Sequence, residues 1–210
     1  MRKLWILVLA LLPVGGSFPA GAAPAGAPAI FYRYTIDSQR SRVSFTFRGI
    51  ILPFDAHFSV LEGEISLGSR DPFQGASAWL RIEAGSIKSA DPLQEQMLRD
   101  QVLDARRHPR IELRVEGARP VRPPSRQGRE KDWEVRAQGI LRLHGVERML
   151  PLAFKLADTG TDLFVRGEGA LRLSDFEMSR PTVLLVVPGS DVVEVNVRLV
   201  AHPAPPGAGS

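Results

Sequence analysis

Residues 141–156 read LRLHGVERMLPLAFKL and contain two rows of apolar residues on either side of a glycine. Leu141 and Leu143 form the first row, and the second row (Leu150, Leu152, Phe154 and Leu156) follows Gly145. Side chains two residues apart share one face of a β-strand, so each row indicates a strand with one buried face. A glycine between the rows suits a tight turn, because glycine readily adopts the positive φ that such turns need. The stretch therefore predicts an antiparallel hairpin.

The same period of two extends along most of the chain. Its apolar positions include Val43, Phe45 and Phe47; Ala76, Ala78, Leu80 and Ile82; Ile111, Leu113 and Val115; Leu171 and Leu173; and Val193, Val195, Val197 and Leu199. About eight such segments, separated by turn residues, predict an all-β antiparallel barrel. Gly167 and Gly169 lie inside one predicted strand, where glycines indicate strong bending or close approach of another backbone.

One segment, Asp91 to Arg106, follows a helical period instead and reads DPLQEQMLRDQVLDAR. Asp91 suits the N-cap and Pro92 the first helical position, and Leu93, Met97, Leu98 and Val102 recur at helical spacing. We expect one short helix near one end of the barrel, with this apolar stripe packed on the barrel mouth.

The amino terminus has the three parts of a secretory signal: Arg2 and Lys3, an apolar run over 4–14, and small residues at 20–22. An uncleaved membrane anchor is the alternative, although spanning a bilayer takes about 20 apolar residues. We therefore predict a signal peptide over 1–22, a disordered leader over 23–31, a barrel over 32–201 and a disordered tail over 202–210. The signal predicts a periplasmic or secreted protein.

Composition excludes several classes of function. The 210 residues include no cysteine, which removes disulfides, thiolate catalysis and a lipoprotein anchor. The net charge is +4, and residues 118–131 alone carry five basic residues and one acid. Because the remainder is not basic, we expect no nucleic-acid partner. The basic segment is either a solvated loop or a peripheral contact with anionic membrane headgroups.

The inventory of catalytic residues is thin. His57, His108, His144 and His202 form no HxH or HxxxH pair, so structural or surface roles are expected, without a metal or cofactor. Ser174 and Asp175 could be imagined as triad partners of His144, but nothing in the sequence makes them converge. We therefore predict a protein that is not an enzyme. Periodicity leaves the interior open between a packed core, which it slightly favours, and one small ligand.

Several motifs, taken in order, are similar to those of a known family. They are Tyr34-Thr35-Ile36-Asp37 with Ser41-Arg42-Val43-Ser44-Phe45, Val102-Leu103-Asp104-Ala105 with His108-Pro109-Arg110-Ile111, Gly139 to Val146, Leu173-Ser174-Asp175-Phe176, and Asp191 to Val195. On these motifs the chain resembles the YceI-like family of exported lipid-binding proteins over about 32–201.

The resemblance implies a lipocalin-like barrel with a long apolar cavity. It would hold a polyisoprenoid, such as an isoprenoid quinone, or a fatty-acyl chain for transport, storage or sequestration. The expected ligand-binding residues are Val43, Phe45, Phe47, Phe58, Leu80, Ile82, Leu141, Leu143 and Phe154, with Met97 and Leu98 near the mouth. The alternative is a non-catalytic interaction module with a filled core and a basic contact loop; a homodimer is left open under either interpretation.

The chain departs from the family pattern in three places. Gln94, Glu95 and Met97 stand where the family has Arg, Asp and His, and Val102-Leu103 replaces an aromatic pair. The insertion over 120–129 is longer and more basic than the family pattern. If the first two regions touch a polar ligand head, headgroup selectivity is altered.

Overall fold

The computed structural model describes residues 31–47, 54–69, 71–127, 130–178, 182–183, 187–188 and 190–204. The strands of this part are β1 (Phe31–Ile36), β2 (Arg42–Phe47), β3 (Phe54–Phe58), β4 (Leu61–Gly68), β5 (Ser77–Glu83), β6 (Ile87–Ser89), β7 (Arg110–Pro120), β8 (Ser125–Gln127), β9 (Glu130–Leu143), β10 (Val146–Asp158), β11 (Leu163–Arg172), β12 (Thr182–Val183), β13 (Val187–Pro188) and β14 (Val192–Pro203). Its helical segments are α1 (Pro92–Met97), a π-helix (Leu98–Val102) and 3₁₀ turns at Ala84–Ser86 and Leu173–Phe176.

Eight strands close into an antiparallel barrel. They pair in the order β1-β4-β5-β7-β9-β10-β11-β14, and the end of β14 pairs back with β1. The first half of β14 pairs instead with β2, which continues the sheet into β3 and β6. Closure pairs the backbone N–H and C=O groups that the edge strands of an open sheet would expose. The predicted all-β barrel of eight antiparallel strands is confirmed.

The hairpin predicted from 141–156 joins β9 to β10. Leu143 pairs with Val146, and the register runs without a shift to Lys131 and Asp158. His144 and Gly145 form the two-residue turn with φ values of 53° and 80°. Both residues are left-handed, as the twist of a two-residue hairpin requires. The sequence predicted this conformation for Gly145 but not for His144.

The barrel extends slightly beyond the predicted limits of 32 and 201. β1 begins at Phe31, and His202 and Pro203 still pair with Thr35 and Tyr34 of β1. The predicted signal over 1–22, the leader up to residue 30 and the tail over 205–210 lie outside the described residues. In the described part of the chain, no helix is long and apolar enough to cross a membrane.

The helical segment differs from the sequence prediction in its second half. Asp91 caps it as expected, since its carboxylate accepts a hydrogen bond of 2.8 Å from the amide of Leu93. After Met97, however, the chain follows a π-helix, whose wider turn rotates later side chains relative to α1. Leu98 is 0% exposed, whereas Leu93 is 75% exposed. The predicted apolar stripe is therefore wrong at Leu93.

Leu98 and Leu93 provide a matched test of this arrangement. We expect Leu98→Ala to lower the free energy of unfolding by about 2–5 kcal/mol, because it leaves a cavity in packed surroundings. Leu93→Ala on the same segment should change it by less than about 0.5 kcal/mol. Urea unfolding followed by circular dichroism measures both. Equal effects of the two substitutions would contradict the described helix orientation.

The basic segment over 118–131 is only partly a loop. β7 continues to Pro120, and β8 folds back on β9 with Ser125 opposite Asp132. Arg122 donates a hydrogen bond of 2.7 Å to the carboxylate of Glu134. The predicted loop is therefore wrong where the insertion extends the sheet, whereas residues 119–125 are exposed, as a solvated segment requires. Residues 128–129 lie outside the described part.

Candidate functional site

The barrel encloses a cavity of about 420 Å³. The inward side chains of all eight barrel strands line it, together with those of β2 and β3. Nine of the residues expected to bind ligand are among them: Val43, Phe45, Phe47, Phe58, Leu80, Ile82, Leu141, Leu143 and Phe154. The volume lies within the range of about 300–1,000 Å³ that is typical of small-molecule sites. The interior is therefore hollow, and the slight preference for a packed core was wrong.

The cavity wall is almost entirely apolar. Among the described residues that line it, only Glu168 and Arg172 are charged. Its side chains include the aromatic pair Phe45 and Phe58, whose ring centroids lie 5.1 Å apart in an edge-to-face arrangement. In the described part, no buried side-chain nitrogen or oxygen lacks a hydrogen-bond partner. Burial of a hydrocarbon chain against such a wall is favourable, whereas a polar group buried there without a hydrogen-bond partner is destabilising.

One end of the cavity is closed by the π-helix and the residues that follow β11. Val102 and Leu103 line this end from one side, and Phe176 and Met178 from the other. Val102 and Leu103 are the residues that replace the aromatic pair of the family pattern. Valine and leucine have smaller side chains than the aromatic residues that they replace, and the lining at this end remains apolar.

Met97 and Leu98 were expected near the mouth, but the structure does not place them in the cavity lining. Leu98 is fully buried in the core beneath the helical segment, and Met97 packs against that core. The cause is the change from α-helix to π-helix between them, which directs Val102 and Leu103 to the cavity instead.

The altered polar positions of α1 contact β6 rather than the cavity. Gln94 accepts a hydrogen bond of 3.0 Å from Ser89, and Glu95 accepts one of 3.0 Å from Lys88. The Lys88 hydrogen bond and charge hold the pKa of Glu95 below its usual value. Because both side chains are engaged on β6, they are not positioned to select a ligand head inside the barrel.

The barrel wall opens between β10 and β11. Their ladder begins at Asp158 opposite Leu163 and ends at Phe154 opposite Gly167, although both strands continue. Residues 146–153 pair only with β9, and residues 168–172 pair only with β14. We call the opening between 147–153 and 168–172 the β10–β11 window. Consecutive residues on both sides of it, 150–154 and 167–172, border the cavity.

Pro151 supplies a physical reason for the window. In the β9–β10 ladder, hydrogen-bonded pairs alternate with non-bonded pairs, starting from the bonded pair Leu143 and Val146 beside the turn. On this count the backbone nitrogen of Pro151 points toward β11, and proline has no N–H to donate there. Gly169, on the opposite side, has nothing within 4 Å of the position that a Cβ would occupy. Of the two alternatives that the sequence left open, strong bending and close backbone approach, the second does not occur at this glycine.

The far end of the window is closed by the 3₁₀ turn at Leu173–Phe176. Nε of Arg148 donates a hydrogen bond of 3.1 Å to the carbonyl of Asp175, and the ring of His144 lies 3.2 Å from the carbonyl of Phe176. The charged residues of the lining, Glu168 and Arg172, both lie on the β11 side of the window. Among the described lining residues, the charged ones are thus confined to the opening.

The triad fragment considered from the sequence is not assembled. The hydroxyl of Ser174 donates a hydrogen bond of 2.7 Å to Asp191. The Nδ1 atom of His144 faces the Phe176 carbonyl instead of Ser174 or Asp175. On the outer face of β3, burial and the charges of Arg42 and Lys88 lower the pKa of His57. His144 is therefore not arranged to activate the hydroxyl of Ser174.

A closed antiparallel barrel around an apolar cavity, with its charged lining residues at the opening, defines a lipocalin-like barrel protein. The model of the YceI-like domain matches residues 34–201, and the chain belongs to this family. This confirms the resemblance seen in the sequence motifs. No protein of curated function matches the sequence.

Three solved structures share the fold. BcnA of Burkholderia cenocepacia is similar with a TM-score of 0.65 and 18% identity, covering 79% of this chain and 98% of that one. A polyisoprenoid-binding domain from Saccharophagus degradans gives a TM-score of 0.64 at 16% identity, covering 81% and 98%. The YCEI protein of Campylobacter jejuni gives 0.52 at 15% identity, covering 71% and 84%. At these identities the likeness concerns the fold.

Proposed function

We propose that this protein binds a lipid with a long apolar chain, a polyisoprenoid or a fatty-acyl compound, inside the barrel. The observation that carries the proposal is the cavity wall, in which Glu168 and Arg172 are the only charged residues among those described. Burial of the chain supplies affinity at about 0.8 kcal/mol per methylene. The structurally similar Saccharophagus domain, described as polyisoprenoid-binding, supports this ligand class.

The apolar chain lies in the cavity and the polar head lies at the β10–β11 window. This orientation follows from the distribution of polarity, because a head buried at the closed end would meet Val102, Leu103 and Phe176. At the window it meets Arg172 and Glu168, both exposed to water. The nine predicted residues that line the cavity contact the chain, and Met97 and Leu98 do not.

The protein acts outside the cytoplasm as a carrier, store or sequestering agent and performs no catalysis. The amino-terminal signal motif supports export. The resemblance to a family of exported proteins supports it further. A binding protein needs only a cavity and a route into it, and both are present. The alternative function, an interaction module with a filled core, does not account for a hollow interior.

Extraction of native lipid tests the proposal. The protein is purified from its own host without detergent, extracted with organic solvent and analysed by mass spectrometry. We expect an isoprenoid or acyl compound in near-stoichiometric amount, and a rise in thermal midpoint when delipidated protein is given a quinone or a fatty acid. Repeated extracts without lipid, together with no thermal shift for either class, would exclude the proposal.

A further inference from the structure

Three metal-ligating side chains meet just outside the closed end of the cavity. One ligand atom from each of Asp104, His108 and His144 lies within 4.8 Å of the other two. The two imidazole rings are tilted by 51° with centroids 4.3 Å apart. All three residues are half-buried. This cluster could not be predicted from the sequence, because His144 lies far from the other two residues along the chain.

Two of the three residues have left-handed backbone conformations. The described residues include three non-glycine positions with positive φ, and Asp104 (42°) and His144 (53°) are two of them. The carbonyl of Asp104 accepts hydrogen bonds of 2.9 Å from the amides of both Arg107 and His108, which fixes the turn that carries His108. The two-residue hairpin requires this conformation at His144 and aspartate tolerates it at Asp104, so defined turns hold both side chains in place.

The surroundings prepare His144 to act as a ligand. Its Nδ1 atom lies 3.2 Å from the Phe176 carbonyl, which can only accept a hydrogen bond. Nδ1 therefore carries the proton, and Nε2 keeps its lone pair, the arrangement found when an outer partner orients a ligating histidine. His108 fits against the same turn because residue 145 is glycine; a Cβ there would lie 2.9 Å from the His108 ring.

Asp104 is available for the same role. Its nearest recorded ion-pair partner is Arg107 at 3.6 Å, and the Arg107 side chain is 82% exposed. Among the described residues, Asp104 makes no direct hydrogen bond to either imidazole, although the three ligand atoms lie within 4.8 Å of one another.

We propose that Asp104, His108 and His144 bind one divalent transition-metal ion. Two imidazole nitrogens and one carboxylate oxygen favour Zn²⁺, Ni²⁺ or Cu²⁺ over Mg²⁺ and Ca²⁺, which prefer sites made of oxygen. Three protein ligands leave a coordination position for water. The interpretation without a metal is a purely polar contact between the hairpin turn and the end of the helical segment.

The site has a structural consequence for the cavity. Asp104 follows Leu103 and His144 follows Leu143, and both leucines line the cavity wall. A bound ion would therefore fasten the end of the π-helix to the β9–β10 turn and hold the barrel end closed. Because only the folded chain assembles the ligands, metal binding raises the thermal midpoint by about 5–10 °C at one hundred times the dissociation constant.

The test uses untagged protein, stripped with chelator and titrated with Zn²⁺ in a calorimeter, and Co²⁺ absorption as a spectroscopic check. We expect one ion per chain and a stabilised fold. Asp104→Asn, His108→Gln and His144→Asn should each weaken binding at least about tenfold, because loss of even an outer partner of a metal ligand costs about that much. Asparagine is chosen at 104 and 144 because it tolerates positive φ.

His57→Gln and His202→Gln remove histidines outside the cluster and should bind Zn²⁺ as the native chain does. Circular dichroism of the metal-free variants verifies that each is folded. The proposal is overturned if the native protein binds no Zn²⁺, Ni²⁺ or Cu²⁺ in a saturable manner. It is equally overturned if the control variants lose as much affinity as the three cluster variants. Neither readout depends on the lipid.

Discussion

Ala78→Trp is expected to abolish lipid binding while the barrel remains folded. Ala78 lies in β5, faces the cavity and is half-buried, between Ile65 and Val115 on the neighbouring strands. An indole at this position extends into empty space instead of displacing packed atoms. It takes the room of about four methylenes, which corresponds to about 3 kcal/mol or more than a hundredfold in Kd. Fluorescence titration with a quinone or fatty-acid probe measures the loss.

Glu116→Trp is the matched control, because Glu116 is exposed and lies opposite Ser77 at the end of the same pair of strands. It adds the same ring to the outer surface, so probe affinity should be unchanged. Urea unfolding of both variants distinguishes a filled cavity from a damaged fold. Native affinity in a folded Ala78→Trp protein would mean that the ligand does not occupy the barrel.

The barrel strands were predictable because their chemistry is local. In β2, β7 and β14, every second residue is apolar, and the structure turns those residues inward. Alternation reports which face avoids water, and it does so equally for a packed interior and a hollow one. Whether side chains from opposite walls meet depends on barrel dimensions, which no single strand encodes. The cavity therefore required the structure.

The helical segment shows a second limit. Asp91 could be identified as the N-cap from residue type alone, because a carboxylate before Pro92 has few other roles. The change to a π-helix at Leu98 could not be identified from the sequence, because its cause lies in packing against the barrel. Leu93, Met97 and Leu98 were consequently assigned to one face, and only Leu98 is fully buried.

Pro151 is a sequence signal for the window. It interrupts a predicted strand, and proline inside a strand indicates an edge or an unpaired side. Its consequence appears only with the register, which shows that the missing N–H faces β11. Pairing is the decisive observation. Residues 77–80 of β5 also border the cavity consecutively, although the ladders of β5 with both neighbouring strands are continuous.

Closing the window with a disulfide is expected to trap lipid inside the barrel or exclude it. The last pair of the β10–β11 ladder is Phe154 and Gly167, so the next inward pair would be Leu152 and Gly169. The chain has no cysteine, and Leu152→Cys with Gly169→Cys therefore introduces the only two thiols. Oxidation draws the strands to the Cα separation of about 4.4–6.8 Å that a disulfide requires. Stopped-flow exchange of a fluorescent lipid should slow at least about tenfold, as gating by a closed segment does.

Reduction of the same protein should restore the native rate, which separates closure from the effect of the substitutions. Lys155 and Arg166 pair with each other inside the β10–β11 ladder, away from the window. A disulfide between Lys155→Cys and Arg166→Cys should therefore leave lipid exchange unchanged. Because the oxidised and reduced forms have the same side chains, equilibrium affinity should differ between them much less than the rates of lipid entry and exit. Native exchange in a fully oxidised protein, verified by the absence of free thiols, would mean that lipid passes through an end of the barrel and that the gap left by Pro151 has no part in access.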